Sequence, residues 1–255
     1  MKVRILGCSG GIGGRHLRTT SIIVDHDILI DAGTGVADLP IADLAQIDHV
    51  FITHTHLDHI ACLPFIVDTV GDMRNRPLTV HATAEVIGIL RSHIFNWAVW
   101  PDFSEIPSAE KPFMKFETIK VNEATRIGDR TITALPANHT VPAVGYSLKS
   151  DKGSLVFTGD TTICPALWVE VNKLNDLRYL IIECAFSNRE RRLAEMSKHL
   201  CPSMLAEELT NLQRNPEIYI THLKPGQIEL TMLEVEEHVG GMSPRMLQNN
   251  QVFEL

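Results

Sequence analysis

The stretch Thr53-His54-Thr55-His56-Leu57-Asp58-His59 decides how the rest of the chain is read. Three imidazoles and a carboxylate packed this densely are hard to justify as core, because each has to be hydrogen-bonded, charged or left in water. A transition-metal ion removes the difficulty, since neutral imidazole nitrogen and carboxylate oxygen are its ordinary ligands. On an extended segment His54 and His56 point the same way, whereas Asp58 and His59 lie past the bend and aim elsewhere. Two ligand pairs with two directions predict two ions. A closed single-ion structural site would usually draw on Cys, and a solvated loop on Gly, Pro, Asn and Ser.

The chain has 255 residues, 44% hydrophobic and 21% charged, which is ordinary globular composition and predicts one domain over residues 1–255. Its net charge of −8 argues against a broad surface for long nucleic acid and makes recognition of a small anion depend on metal charge. Cys8, Cys62, Cys164, Cys184 and Cys201 are odd in number and never form a C-x-x-C pair. They read as reduced thiols, neither a disulfide framework nor a thiolate zinc site. No apolar run approaches the roughly 20 residues of a membrane span, and Met1 to Gly7 runs into a strand pattern without a signal core. The expectation is a cytoplasmic protein without a membrane partner.

From the start of the chain, Val3 to Leu6 leads into the glycine-rich loop Gly7 to Gly14. Because a strand, Ser21 to Val24, follows in place of a helix, the loop reads as a tight turn near a site and not as a nucleotide cradle. Ser21 to Val24 and Ile28 to Asp31 predict a hairpin turning at Asp25-His26-Asp27. Asp31 has two readings, a partner to a metal-bound His or a helix N-cap. Ile47 to Ile52 is a strand that delivers the metal loop, and an apolar stripe predicts a helix from Ile60 to about Val70 with Pro64 in its first turn. A strand Leu78 to His81 and a helix Ala82 to Phe95 follow, with His81 and His93 read as structural histidines. The aromatic loop Asn96 to Phe103 reads equally as a pocket flank, a buried cap or a homodimer contact. Short strands fill Met114 to Thr158, and strands alternate with helices from Pro165 to His238, predicting two sheets between helical layers.

Several strands stop at a metal-competent residue: Leu155 to Phe157 leads to Asp160, Ile218 to Ile220 to His222, and Thr131 to Pro136 to His139. In a two-ion site His54, His56 and His139 would hold one ion, Asp58, His59 and His222 the other, and Asp160 would bridge. Singly, Asp160 reads as a cap and His139 or His222 as a core histidine; their joint occurrence at strand ends favours the site.

His54-x-His56-x-Asp58-His59, followed by His139, Thr158-Gly159-Asp160 and His222, resembles the metallo-β-lactamase superfamily over nearly the whole chain, including Leu29-Ile30-Asp31-Ala32-Gly33. The resemblance implies a four-layer αββα sandwich with a dinuclear site of two divalent ions. These are usually zinc, although His and carboxylate ligands also accept manganese or iron. Within the superfamily, Trp100-Pro101-Asp102, Glu183-Cys184-Ala185-Phe186, His199-Leu200 and Thr221-His222-Leu223-Lys224-Pro225 are similar to class II cyclic nucleotide phosphodiesterases. Cys62 departs from the small Gly or Ser usual there. The resemblance implies hydrolysis of a 3′,5′-cyclic nucleotide to the 5′-monophosphate by water activated between the ions. Asp58, His199 and Glu183 are then the catalytic group, with His199 as proton donor or oxyanion stabiliser oriented by Glu183, as in the related ribonuclease Z enzymes; the alternative readings are that Glu183 anchors a strand end and His199 caps the Pro202 helix. Competing readings are a ribonuclease Z-like hydrolase and a non-catalytic metal or nucleotide-binding regulator.

Overall fold

The computed structural model describes residues 1–14 and 16–255. Among these residues the strands run β1 (Lys2–Gly7), β2 (Ser21–Val24), β3 (Ile28–Ile30), β4 (His49–Phe51), β5 (Leu78–Ala82), β6 (Met114–Thr118), β7 (Ala124–Ile127), β8 (Arg130–Pro136), β9 (Val144–Ser150), β10 (Gly153–Phe157), β11 (Leu177–Glu183), β12 (Glu217–Thr221), β13 (Arg245–Met246) and β14 (Val252–Glu254). They form two seven-stranded sheets, ordered β14-β1-β2-β3-β4-β5-β6 and β13-β12-β11-β10-β9-β8-β7. Across the first sheet three antiparallel pairings are followed by three parallel ones, with the change at β3. The second sheet repeats the series from β7 to β13, with the change at β10.

Near-continuous apolar strands make this four-layer αββα sandwich possible, because alternate side chains leave opposite faces of a sheet. Ile28 and Ile30 enter the core between the sheets, where they join Phe51, Tyr146, Leu155, Phe157 and Ile181. Leu29, Val50 and Val80 leave the other face of the first sheet and meet Leu63, Ile66, Val67, Val86 and Leu90. These come from helices α3 (Leu63–Val70) and α4 (Ala84–His93), which follow the short α1 (Ile41–Leu44) and α2 (Leu57–Ile60). Val156, Leu180, Ile182 and Ile220 leave the outer face of the second sheet. They pack on α5 (Pro165–Val171), α6 (Arg191–Ser197), α7 (Pro202–Leu209) and α8 (Ile228–Val239). Each fully buried aliphatic side chain of this kind contributes about 1.5–3 kcal/mol.

The structure corrects two expected helices. The segment expected as one helix from Ile60 is broken between α2 and α3, because the Cys62 amide donates to the Ala32 carbonyl at 2.8 Å and leaves the helical ladder. Pro64, which has no amide hydrogen, then sits in the first turn of α3 as expected. Ala82 is not helical but closes β5 opposite Thr118, and Thr83 caps α4 by accepting from the Val86 amide. α6, β13 and β14 were not anticipated.

His81 is the structural group expected of it. Its ring lies flat on Phe51 at 4.3 Å, and its Nε2 is 3.0 Å from Nδ1 of His49. His93 instead is exposed in the last turn of α4, where a basic group suits the helix end. Burial, with His49 beside it, pushes the His81 imidazole down to about 4. A folded value below the unfolded one means the unfolded chain binds more protons, so this contribution is present above about pH 6.5 and is lost as pH falls toward 4. We expect the urea-unfolding stability of His81→Gln to depend less on pH than the parent between pH 7 and 4, the difference amounting to about 2–4 kcal/mol. Parallel curves would assign the acid sensitivity elsewhere.

Candidate metal centre

The site lies where strands of both sheets end. β4 runs through Ile52 and Thr53 into the ligand loop, and the loops after β8, β10 and β12 carry His139, Asp160 and His222. His54, His56, His139 and Asp160 offer ligand atoms all within 4.8 Å of one another, and so do Asp58, His59 and His222. Asp160 stands between the groups, with Oδ2 at 3.6 Å from His54 Nε2 and 3.4 Å from His59 Nε2, and Oδ1 at 3.3 Å from His222 Nδ1. Asp58 Oδ2 is 3.6 Å from His222 Nε2, and His56 Nδ1 is 3.1 Å from His139 Nε2. All seven expected ligands therefore converge in the expected two sets.

Asp31 sets the orientation of the rings. It follows β3 in a left-handed conformation (φ 56°), and its buried Oδ2 accepts from His59 Nδ1 at 2.7 Å. The Thr53 hydroxyl also donates to Asp31 Oδ2, at 2.7 Å, so toward His54 Nδ1, 3.0 Å away, it can only accept. His139 Nδ1 donates to the Lys198 carbonyl at 3.0 Å. Each of these rings thus carries its proton on Nδ1 and turns Nε2 inward. This settles the alternatives for Asp31: it orients ligands, and the first turn after it is capped by Gly33. Nor does Asp160 cap α5, whose N-cap is Cys164.

The donor set fits divalent cations. His54 Nε2, His59 Nε2 and both His222 nitrogens are buried without a hydrogen-bond partner, a costly state unless a cation takes the lone pairs. Burial holds His54 well below the ordinary imidazole range, and His222 falls to about 3 against the pull of Asp160, so both are neutral and ligand-competent. Burial would lower His59 too, yet Asp160 and Asp31 hold it well above its usual value. Burial would raise Asp160, but His222 and His59 keep it well below the carboxylate range. The centre favours positive charge beside Asp160.

Glu183 and His199 adjoin the ligands. His199 Nδ1 meets Glu183 Oε1 at 2.7 Å, and its ring stacks on His222 with centroids 5.1 Å apart. The Glu183 carboxylate also accepts from the amides of Thr161, Ala185 and Leu200 at 2.9, 3.2 and 3.1 Å. Burial pulls His199 down, and Glu183 more than offsets it, so the imidazole is held above its usual value. His199 does not cap the Pro202 helix, whose N-cap is Cys201.

The glycine-rich loop supports His222, as a turn near a site should. The His222 amide donates to the Cys8 carbonyl at 2.8 Å, and Lys224 Nζ to the Gly10 carbonyl at 2.7 Å. A Cβ on Gly10 would lie 2.4 Å from the His222 carbonyl oxygen, so only glycine lets the loop approach the segment after β12 this closely. The aromatic loop divides between roles: Phe103 is buried, Trp100 meets Phe65 edge to face at 5.2 Å, and Trp97 is exposed. Sequence reasoning missed Thr53 and Lys198 as supports; the only signal for Thr53 was its place before His54.

Two mixed sheets between helical layers, with a His and Asp cluster at one edge, define a metal-dependent hydrolase of the αββα class. The chain belongs to the beta-lactamase superfamily: the family model described as a beta-lactamase superfamily domain matches residues 26–228. A probable 3′,5′-cyclic-nucleotide phosphodiesterase of Yersinia pestis is 24% identical, covering 88% of this chain and 78% of that protein. A ribonuclease Z of Haloarcula marismortui is 28% identical over 59% of this chain, which spans about half (48%) of that enzyme's length. Unliganded yeast PDE1 superposes with a TM-score of 0.81 at 18% identity, over 100% of this chain and 99% of that one.

We expect Gly10→Ala to displace His222 and weaken metal binding about 10–100-fold, the usual cost of disturbing a ligand's support. Metal titration under competition with a chelator, with far-ultraviolet circular dichroism as the folding control, measures this. Parent-like affinity would mean that the loop does not brace His222.

Proposed function

We propose that this protein is a dinuclear metal-dependent phosphodiesterase that opens 3′,5′-cyclic nucleotides to 5′-monophosphates, with zinc as the expected metal. The observation that carries the reading is the Glu183–His199 pair standing against a complete His and Asp ligand set. Similarity to the Yersinia pestis phosphodiesterase supports the choice of substrate.

Two bound divalent cations would supply Lewis acidity, neutralising phosphate oxygens and lowering the pKa of water from 15.7 toward about 7. His54, His56 and His139 would hold one and Asp58, His59 and His222 the other, with Asp160 shared. The chain's own residues do the rest. Asp58 is partly open to solvent, with 26% of its side chain exposed, and is the carboxylate suited to receive the proton of the attacking water. As the ribose 3′-oxygen leaves phosphorus, His199 gives it a proton, and Glu183 keeps the imidazole charged and aimed. The Phe186 ring stands edge to face against the His199 imidazole, with centroids 5.7 Å apart.

A ribonuclease Z-like activity is the second reading, favoured by the Haloarcula marismortui match and opposed by the net charge of −8. A panel of cyclic AMP, cyclic GMP and precursor tRNA, assayed with metal-loaded protein, decides between them; cleavage of the tRNA alone overturns our reading. We expect His199→Ala to lower kcat by about 10²–10⁴-fold with KM little changed, and Glu183→Gln to follow it in direction. Asp160→Ala should remove activity and bound metal together. Parent-like turnover by metal-free Asp160→Ala would exclude the mechanism.

A further inference from the structure

The end of α6 carries a residue that the rules for helix ends do not explain. Lys198 has φ 53° and ψ 51°, the left-handed conformation in which glycine or asparagine is usual. Its amide bonds back to the Glu195 carbonyl of α6 at 3.4 Å, whereas its carbonyl and ammonium both turn toward the metal centre. The carbonyl accepts from His139 Nδ1 at 3.0 Å, and Nζ donates to the His139 carbonyl at 3.0 Å and to Asn138 Oδ1 at 3.2 Å.

Asn138 is itself tied to the loop that bears Asp160. Its amide donates to Thr161 Oγ1 at 3.0 Å, its Nδ2 donates to the Ile163 carbonyl at 2.9 Å, and its carbonyl accepts from the Thr162 amide at 2.9 Å. The next two residues of the α6 arm close the circuit, since His199 Nδ1 and the Leu200 amide both bond Glu183, which in turn holds the Thr161 amide. Lys198 hydrogen-bonds the His139 ligand from the arm that carries His199, whose own ring lies edge to face against His139 at 4.9 Å. A straight helical continuation would swing both its carbonyl and His199 away.

We propose that Lys198 is a positioning residue: its carbonyl and ammonium together lock ligand His139, and its left-handed turn aims His199 at the same centre. The inference rests on the cluster being a metal centre, and not on the cyclic nucleotide reading. Lys198→Gly is the informative variant, because glycine keeps the carbonyl and accepts the left-handed turn without strain while the ammonium is lost. Lys198→Met, which keeps the aliphatic stem, is the companion.

For both variants we expect metal to be stripped at about tenfold lower chelator concentration than for the parent. The metal-free Lys198→Gly chain should melt no lower than the parent. With bis(4-nitrophenyl) phosphate, a generic phosphodiester, and saturating metal, kcat should fall about tenfold with KM within about twofold. Chelator resistance equal to the parent's in both variants overturns the proposal. So does a loss of resistance matched by a lower melting temperature of metal-free Lys198→Gly, which would make Lys198 merely structural. A parent that takes up no metal would instead refute the metal centre itself.

Discussion

The Asp31 carboxylate is the constraint on which the centre depends. It is fully buried, and its two oxygens together receive the Thr53 amide, the Thr53 hydroxyl and His59 Nδ1. Through Thr53 it also fixes the tautomer of His54. One anion that never needs to touch metal thereby orients ligands on both sides of Asp160. A buried carboxylate is tolerated here because every contact it makes is a donor, at least one of them an imidazole that favours positive charge. The cost of this arrangement reappears as buried nitrogens without hydrogen-bond partners at His54, His59 and His222, the positions where a cation would be most favourable.

The geometry follows from a sheet pattern used twice. In each sheet the pairing changes from antiparallel to parallel at one strand, β3 or β10, and parallel strands send their C-terminal ends to a common edge. Functional residues gather outside such ends. Asp31 follows β3 and Asp160 follows β10 at matching places in the two series, so the orienting carboxylate and the shared one are topological counterparts. The next strands in each series, β4 and β11, lead to the ligand loop and to Glu183. Asp31 at φ 56° and Gly159 at φ 61° bend the chain sharply at both changes. The turns leave the carboxylates between the sheets and not along them.

Much of this was legible because it is local. The spacing of His54, His56, Asp58 and His59 needs no tertiary knowledge, and apolar strands ending in polar residues pointed to His139, Asp160 and His222. The four layers were readable from runs such as Ile28 to Ile30 and Leu155 to Phe157. What stayed hidden depends on contacts distant in sequence. The break at Ala61 and Cys62 arises from one amide diverted to the Ala32 carbonyl, which no helical periodicity reveals. The need for glycine at position 10 appears only when β12 brings His222 against it. Lys198 carries no local signal, because its role depends on its left-handed backbone and on the position of His139. The repeated pairing series was invisible as a sequence repeat, since pairing direction is set by connections and not by residue identity.

The division between strand ends and arm bears on how such a centre acquires specificity. The seven candidate ligands sit on a short loop after β4 or beyond the ends of β8, β10 and β12, where strands of both sheets fix their positions. His199 instead lies on a connection between β11 and α7, held by Glu183. Connections tolerate change in length and sequence that paired strands do not. Unliganded yeast PDE1 shares this fold at a TM-score of 0.81 and 18% identity, so paired sheets of this kind form from widely different residues. The cation chemistry is thus a property of the sheets. The Glu183–His199 pair belongs to the arm, which Lys198 ties back to His139.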